Sequence, residues 1–165
     1  MLLVFWVATN ASAQSVPGDL LYPLKLATER VSFALALRSD QRAELRLTFA
    51  DRRLTELVST LQSDAELDAD LLRNLLRQAE LALDEAGPMP DETYPFLLAK
   101  VEHFNTYQKA VLERLKPRVG KSDSQLLTDA ISLCDQRERW IRNVWRESES
   151  GEPLKRRWGP ECRCD

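Results

Sequence analysis

Few residues in this sequence are of the types that perform nucleophilic, acid–base or metal chemistry. There is one histidine, His103, and there are three cysteines, Cys134, Cys162 and Cys164. A single histidine cannot form a zinc site of the H-E-x-x-H type, and no G-x-S-x-G motif supplies a serine nucleophile that would use His103 as its base. An enzyme that pairs His103 with a nearby carboxylate is therefore the least favoured hypothesis. We predict a protein without catalytic residues and without a cofactor.

The cysteines supply one weak candidate for a metal site. Cys162 and Cys164 flank an arginine at the C-terminus, where they could bind a soft metal ion or form a strained disulfide. Two thiols do not complete the tetrahedral ligand set of a structural zinc site, so no full metal site is predicted. Cys134 falls instead on an apolar helical stripe, and we predict that it is a small buried hydrophobic residue.

Tryptophan and arginine occur together near the end of the last predicted helix. Both residue types are enriched in protein interfaces, and tryptophan is also enriched at membrane surfaces. One hypothesis is therefore an interaction face formed by Trp140, Arg142 and Trp145. The alternative is that the tryptophans pack inside the protein.

The acidic residues between 64 and 92 are interpreted as a solvated face rather than a cation site.

The composition narrows the function further. The 165 residues are 44% apolar, carry a net charge of −3 and include five glycines. A chain of this length is expected to form one domain, and its near-balanced charge argues against a nucleic-acid-binding protein. The few glycines leave no P-loop and no G-x-G-x-x-G turn for phosphate binding, and they disfavour an all-β fold.

Apolar residues recur at helical spacing in five segments. We predict helices at about residues 23–37, 40–62, 64–86, 95–116 and 122–149. Ser63 and Ser122 each open a capping box, and Gly87 is predicted to end the third helix. Because the connections are short, consecutive helices should be antiparallel. The expected fold is an all-α, elongated antiparallel bundle of about five helices, in which a short first helix precedes two long hairpins.

The first of these helices is apolar on two faces. One stripe contains Leu24, Ala27, Val31, Ala34 and Leu35, and the other contains Leu26, Phe33 and Leu37. A short helix with this pattern is predicted to be well buried. Four charged residues are interpreted as ion pairs between helices rather than as an acid–base pair, namely Glu29, Arg30, Arg53 and Glu56.

The N-terminus has the pattern of an export segment. The apolar run Leu2–Ala8 is followed by Ala11-Ser12-Ala13, which resembles a signal-peptide cleavage site. Residues 1–13 are therefore interpreted as a signal peptide or as the remnant of a truncated membrane helix. Both hypotheses place the bundle domain, residues 14–150, outside the cytoplasm. The alternative is an apolar N-terminal segment of a cytosolic protein, and residues 151–165 are predicted to be a flexible tail.

The most distinctive stretch, residues 15–25, predicts a turn that leads directly into a helix. Pro17-Gly18 suits the centre of a type II turn, and Pro23 suits the first helical position. The structural motif consists of Pro17, Gly18, Asp19, Tyr22, Pro23 and Lys25.

This motif, read as PGD-x-LYP-L-K, resembles the start of a bacterial domain family of unknown function, number 5667. A later segment, AELRLTFADRRLTEL at residues 43–57, is similar to the second helix of that family, so the resemblance covers residues 15–62. It implies an extracytoplasmic location, typically just after a membrane helix, and it implies no activity.

Together these observations favour a non-enzymatic protein-interaction or structural module of the bacterial envelope, either secreted or membrane-anchored. Its expected partner is an unknown envelope protein, with the membrane nearby and without nucleic acid. The alternative is a periplasmic helical chaperone or a metal-stress sensor, which would use the terminal thiols Cys162 and Cys164.

Overall fold

The computed structural model describes residues 22–63, 66–89 and 92–150, and within them it is all-α, without strands. The helices are α1 (Tyr22–Leu35), α2 (Ser39–Gln62), α3 (Ala69–Ala86), α4 (Tyr94–Leu115) and α5 (Lys121–Ser150), with a 3₁₀ turn at Lys116–Arg118. The predicted all-α class with five helices is confirmed. None of these helices combines the length and apolar character needed to cross a membrane.

Several predicted features lie outside the described residues. They are the N-terminal export segment, the turn residues Pro17, Gly18 and Asp19, the terminal thiols Cys162 and Cys164, and the tail after residue 150. The chain divides into two compact units, residues 1–37 and 38–165, so α1 belongs to the first unit and α2 to α5 belong to the second.

The second unit is a four-helix bundle built from two antiparallel hairpins. Between α4 and α5, Glu102 contacts Trp145 whereas Lys109 contacts Asp135, so the residue number rises in one helix as it falls in the other. In the α2–α3 hairpin, Ala43 shares a cluster with Leu83, while later α2 residues cluster with the beginning of α3. This arrangement agrees with the two predicted hairpins.

The core of the second unit consists of two apolar clusters, one towards each end of the bundle. The first joins the second half of α2 and α4 to the first half of α3 and α5, and its buried leucines include Leu54, Leu57, Leu75, Leu112 and Leu127. The second joins the opposite halves, and its members include Leu83, Leu98, Val101, Ile141 and Val144. Leu47 packs against both clusters, and the interior also contains the buried polar residues Asn105, Gln108 and Arg137, which are described below.

Three helix ends, two of α3 and one of α5, differ from the predicted ones. Ser63 does not open α3, which begins at Ala69 with Asp68 as its N-cap, because Leu67 joins the core before the helix starts. Ser122 lies inside α5, whose first turn is closed by the carbonyl of Gly120 accepting from the Ser124 N–H at 2.8 Å. The Gly87 cap has right-handed dihedral angles (φ −51°, ψ −46°) rather than a left-handed conformation.

Replacing Asp68 by alanine should lower the free energy of unfolding by about 1 kcal/mol. The Asp68 carboxylate accepts hydrogen bonds from the N–H groups of Asp70 at 3.0 Å and Leu71 at 2.9 Å, and alanine leaves both donors unpaired. Urea unfolding measures the change. Asp68→Asn keeps an oxygen acceptor at the cap and should remain close to the wild type; equal losses in both variants would contradict the capping role.

The first unit contradicts the prediction that α1 is well buried. Leu24, Val31 and Leu35 are 43%, 58% and 74% exposed, whereas the opposite face, with Lys25 and Glu29, is buried. Periodicity placed the apolar residues on shared faces of the helix, but tertiary packing decides which face is covered.

Two of the four charged residues form an ion pair within one helix. Arg53 Nη1 donates to Glu56 Oε1 at 2.8 Å, three residues apart in α2, and both side chains are buried.

Candidate functional site

The interior of the bundle contains a polar layer made by two helices. Asn105 and Gln108 lie three residues apart on α4, and Cys134 and Arg137 lie three residues apart on α5. Asn105 Nδ2 donates to the Cys134 carbonyl at 2.9 Å. Arg137 Nη1 donates to Asn105 Oδ1 at 2.8 Å and to Gln108 Oε1 at 3.4 Å. All four residues are at most 1% exposed, so this layer is sealed from solvent.

Arg137 is the unusual member of the polar layer, because its buried guanidinium donates only to neutral side chains. Among the described residues no carboxylate forms an ion pair with it, and its Nε and Nη2 have no protein hydrogen-bond partner. Burial lowers the pKa of Arg137, and the nearby Cys134 and the charge of Glu80 partly offset this effect. Since the ordinary pKa of arginine is very high, the group stays charged, and its desolvation opposes folding.

Cys134 is buried, as its place on the apolar stripe predicts. Burial raises the pKa of its thiol to about 11, and the Arg137 charge only partly opposes this shift. The thiol is therefore protonated at neutral pH, and a buried neutral thiol is a poor nucleophile. The hydrogen bonds of the polar layer are therefore suited to fixing the alignment of α4 with α5, and the layer is not suited to be a reactive centre.

The native Cys134 thiol should resist an aromatic disulfide reagent at neutral pH and react only when the protein unfolds in urea. Mass spectrometry of the labelled peptides separates Cys134 from Cys162 and Cys164. Rapid labelling of Cys134 in the native protein would contradict its burial.

The same thiol makes stability depend on pH in the alkaline range. Because its folded-state pKa is about 11 and its ordinary value is 9.0, the folded state favours the protonated form. This stabilisation is complete below pH 9 and is lost as the pH rises through about 11. Cys134→Ala removes this part of the alkaline loss, whereas the part due to Tyr94, whose pKa burial raises to about 12, remains.

Sequence reasoning missed Asn105 and the burial of Arg137, although two signals were present. Leu127, Cys134 and Ile141 follow one another at seven-residue spacing, and Arg137 occupies the intervening core position of that stripe. Gln108 interrupts the apolar stripe of α4 in the same way. A charged residue on such a stripe is normally interpreted as lying at its edge, so only the packed structure identifies Arg137 as an interior residue.

The predicted interaction face of Trp140, Arg142 and Trp145 is not one surface. Trp140 is 8% exposed and packs in the second apolar cluster, so its proposed place on the face is wrong. Trp145 is half-buried, and its Nε1 donates to Glu102 Oε2 at 3.0 Å. Arg142 is exposed and pairs with Glu138 at 2.6 Å on its own helix. The Trp140 indole contributes to the core because it faces the helices packed against α5.

The remaining candidates for chemistry are dispersed. His103 is exposed on α4. Within residues 22–63, 66–89 and 92–150, no three metal-ligating side chains come together. A partly open depression of about 340 Å³ at one end of the bundle is lined by polar groups that include Glu66, Arg118, Ser122 and Asp123. This lining contains neither a cysteine nor a histidine.

The first unit presents an apolar surface that we call the α1 stripe, formed by Leu24, Ala27, Val31, Ala34 and Leu35. All five residues are exposed. The motif residue Lys25 is 2% exposed on the other side of the helix, and Pro23 is the second residue of α1 rather than the first. Leu37 follows the helix and is 85% exposed. Four of the seven large exposed apolar side chains in the described residues thus lie between positions 24 and 37.

The comparisons agree with the resemblance of the N-terminal half. The sequence matches the family described as Domain of unknown function (DUF5667) over residues 14–122, which extends from the PGD-x-LYP-L-K motif through α4 to the first residues of α5. Searches of curated proteins and of solved structures found no match. Since the match covers most of the sequence, the chain belongs to the DUF5667 family.

Proposed function

We propose that this protein is a non-enzymatic interaction or structural module of the bacterial envelope, located outside the cytoplasm and close to the membrane. The observation that carries the proposal is the α1 stripe. A contiguous exposed apolar surface on a folded protein is typical of a binding surface, because leaving it in water is unfavourable.

The contrast between the two units supports this proposal. In the second unit most large apolar side chains of α2 to α5 pack into two core clusters. The large apolar side chains that remain exposed among its described residues, Phe96, Tyr107 and Leu126, do not lie together in one patch along one helix. In the first unit, three of the four large exposed apolar side chains among the described residues, Leu24, Val31 and Leu35, share one face of α1. The second unit therefore serves as a stable scaffold, and α1 serves as the element that binds.

The proposed location rests on the N-terminal sequence. The apolar run Leu2–Ala8 and the small-residue pattern Ala11-Ser12-Ala13 favour export, whether the segment is removed or retained. An interaction module with an exposed apolar helix next to such a segment is best suited to the envelope.

Site-specific photo-crosslinking in intact bacteria tests the proposal. A photoreactive amino acid at position 31 reports on the α1 stripe, and the same amino acid at position 96 is the matched control, since Val31 and Phe96 are both exposed apolar residues. We expect crosslinked products at position 31, in the envelope fraction, and few at position 96. Recovery of the chain in the cytosol without crosslinks at position 31 would refute the proposal.

A further inference from the structure

We propose that the α1 stripe binds the surface of an anionic lipid bilayer, with α1 lying flat and its apolar side chains inserted between the headgroups. This inference rests on the proposed function and adds the chemistry of the ligand. Its basis is the combination, on one 14-residue helix, of an apolar exposed face and one exposed arginine, Arg30, at the edge of that face.

The apolar face is continuous. Leu24, Ala27, Val31 and Ala34 follow one another at steps of three and four residues, and Leu35 extends the face by one position. At 1.5 Å per residue the stripe is about 17 Å long, which is enough for three turns to contact one flat surface. The exposed fractions rise along the helix from 43% at Leu24 to 74% at Leu35, so the C-terminal half is the most accessible.

The exposed charge of α1 has one sign. The helix carries Lys25, Glu29 and Arg30. Lys25 and Glu29 are buried on the opposite face, at 2% and 7% exposure, and Arg30 is exposed at the edge of the stripe. No carboxylate of α1 therefore faces solvent beside the apolar residues. A bilayer with anionic headgroups complements this surface, because it accepts apolar side chains and attracts the guanidinium.

The position of α1 in the chain also favours a membrane. Thirteen residues separate Ala8, the end of the apolar run, from Tyr22, the start of α1. Even a fully extended segment of that length spans at most about 50 Å. If the run is held in a bilayer, α1 is therefore confined near the same surface, which raises the effective concentration of the stripe at the lipid.

A second copy of the chain fits the stripe less well. Two stripes of this length would bury few side chains, whereas stable specific interfaces bury about 1,200–2,000 Å². In an antiparallel pair the two Arg30 side chains would also lie on the same edge, where like charges repel.

Flotation of the full chain with lipid vesicles tests this inference. One set of vesicles contains phosphatidylcholine, and a second contains equal parts of phosphatidylcholine and phosphatidylglycerol. The variant Val31→Gln with Leu35→Gln removes apolar character from exposed helical positions, and Phe96→Gln is the matched control on the second unit. Circular dichroism verifies that each variant is folded, and Val31→Leu provides a second variant that should strengthen binding.

We expect the wild type to float with the phosphatidylglycerol vesicles and the double variant to bind at least tenfold more weakly, with Phe96→Gln unchanged. Arg30→Gln should reduce the preference for the anionic vesicles. Equal flotation of the wild type and the double variant would overturn the inference, since the apolar run Leu2–Ala8 alone would then account for binding. The lipid-binding inference would also be overturned if the wild type did not float, or if the α1 stripe mediated self-association instead. After either result, crosslinking of position 31 to an envelope protein would still support the proposed function.

Discussion

Arg137→Ala should lower the free energy of unfolding by about 2–4 kcal/mol, which is a large fraction of the stability of a domain of this size. Two effects contribute. Removal of the guanidinium leaves Asn105 Oδ1 and Gln108 Oε1 without the donor that they share, and it leaves a cavity in the interior of the bundle. Chemical denaturation monitored by circular dichroism measures the loss.

The same layer should tolerate a fully apolar replacement. The triple variant Asn105→Leu, Gln108→Leu and Arg137→Met removes the buried charge together with its acceptors, so it should be at least as stable as the wild type. If the polar layer aligns α4 with α5, this variant gains stability but shows broader amide resonances in that hairpin, because the apolar layer fits more than one register. Arg142→Ala is the control, since this exposed residue pairs only along its own helix and should change stability by less than about 0.5 kcal/mol. An Arg137→Ala variant as stable as the wild type would contradict the interior position of Arg137.

A chain that ends at Gly120 should lose cooperative unfolding altogether. Such a chain keeps nearly the whole region that matches the DUF5667 family, residues 14–122, but it lacks α5. The helix α5 contributes Leu127, Cys134, Ile141 and Val144 to the two clusters, and each is at most 2% exposed. Because a fully buried large apolar side chain contributes roughly 1.5–3 kcal/mol, the loss approaches or exceeds a total stability of about 5–15 kcal/mol.

Thermal unfolding and binding of a fluorescent hydrophobic dye measure this effect. We expect the chain ending at Gly120 to bind the dye and to show no sharp transition, whereas a chain ending at Ser150 keeps all five described helices and should unfold like the full chain. A cooperative transition in the shorter chain would show that α2, α3 and α4 form a stable unit without α5. The expected result means that the folded domain extends beyond the region matched by the family.

Helix number and helix faces could be predicted from the sequence because they depend on local spacing. The steps of three and four residues from Ala43 to Leu61 place one side of α2 in the core, and Ala43, Leu54 and Leu57 are buried there. The ends of the helices were predicted less well. Ser63 and Asp68 are both good N-cap residues, and the choice between them depends on the burial of Leu67, which is a tertiary contact.

Some residues of the candidate sites could likewise be predicted from local spacing, whereas others depend on tertiary packing. The burial of Cys134 follows from its position on an apolar stripe, and the scarcity of histidine and glycine follows from composition alone. The burial of Arg137 and Trp140 and the exposure of Val31 and Leu35 do not follow from spacing, since a polar residue on a stripe can lie at its edge and an apolar face can remain uncovered.

The sequence by itself therefore determined that this protein is helical, which residues share each helical face, and that it has few residues suited to catalysis. Only the tertiary structure decided which of those faces are covered. The physical reason is that periodicity is a property of a few neighbouring residues, whereas burial depends on which distant helix packs against them. For that reason the polar layer around Arg137 and the exposed α1 stripe, the two features on which stability and function are proposed to depend, became visible only in the folded chain.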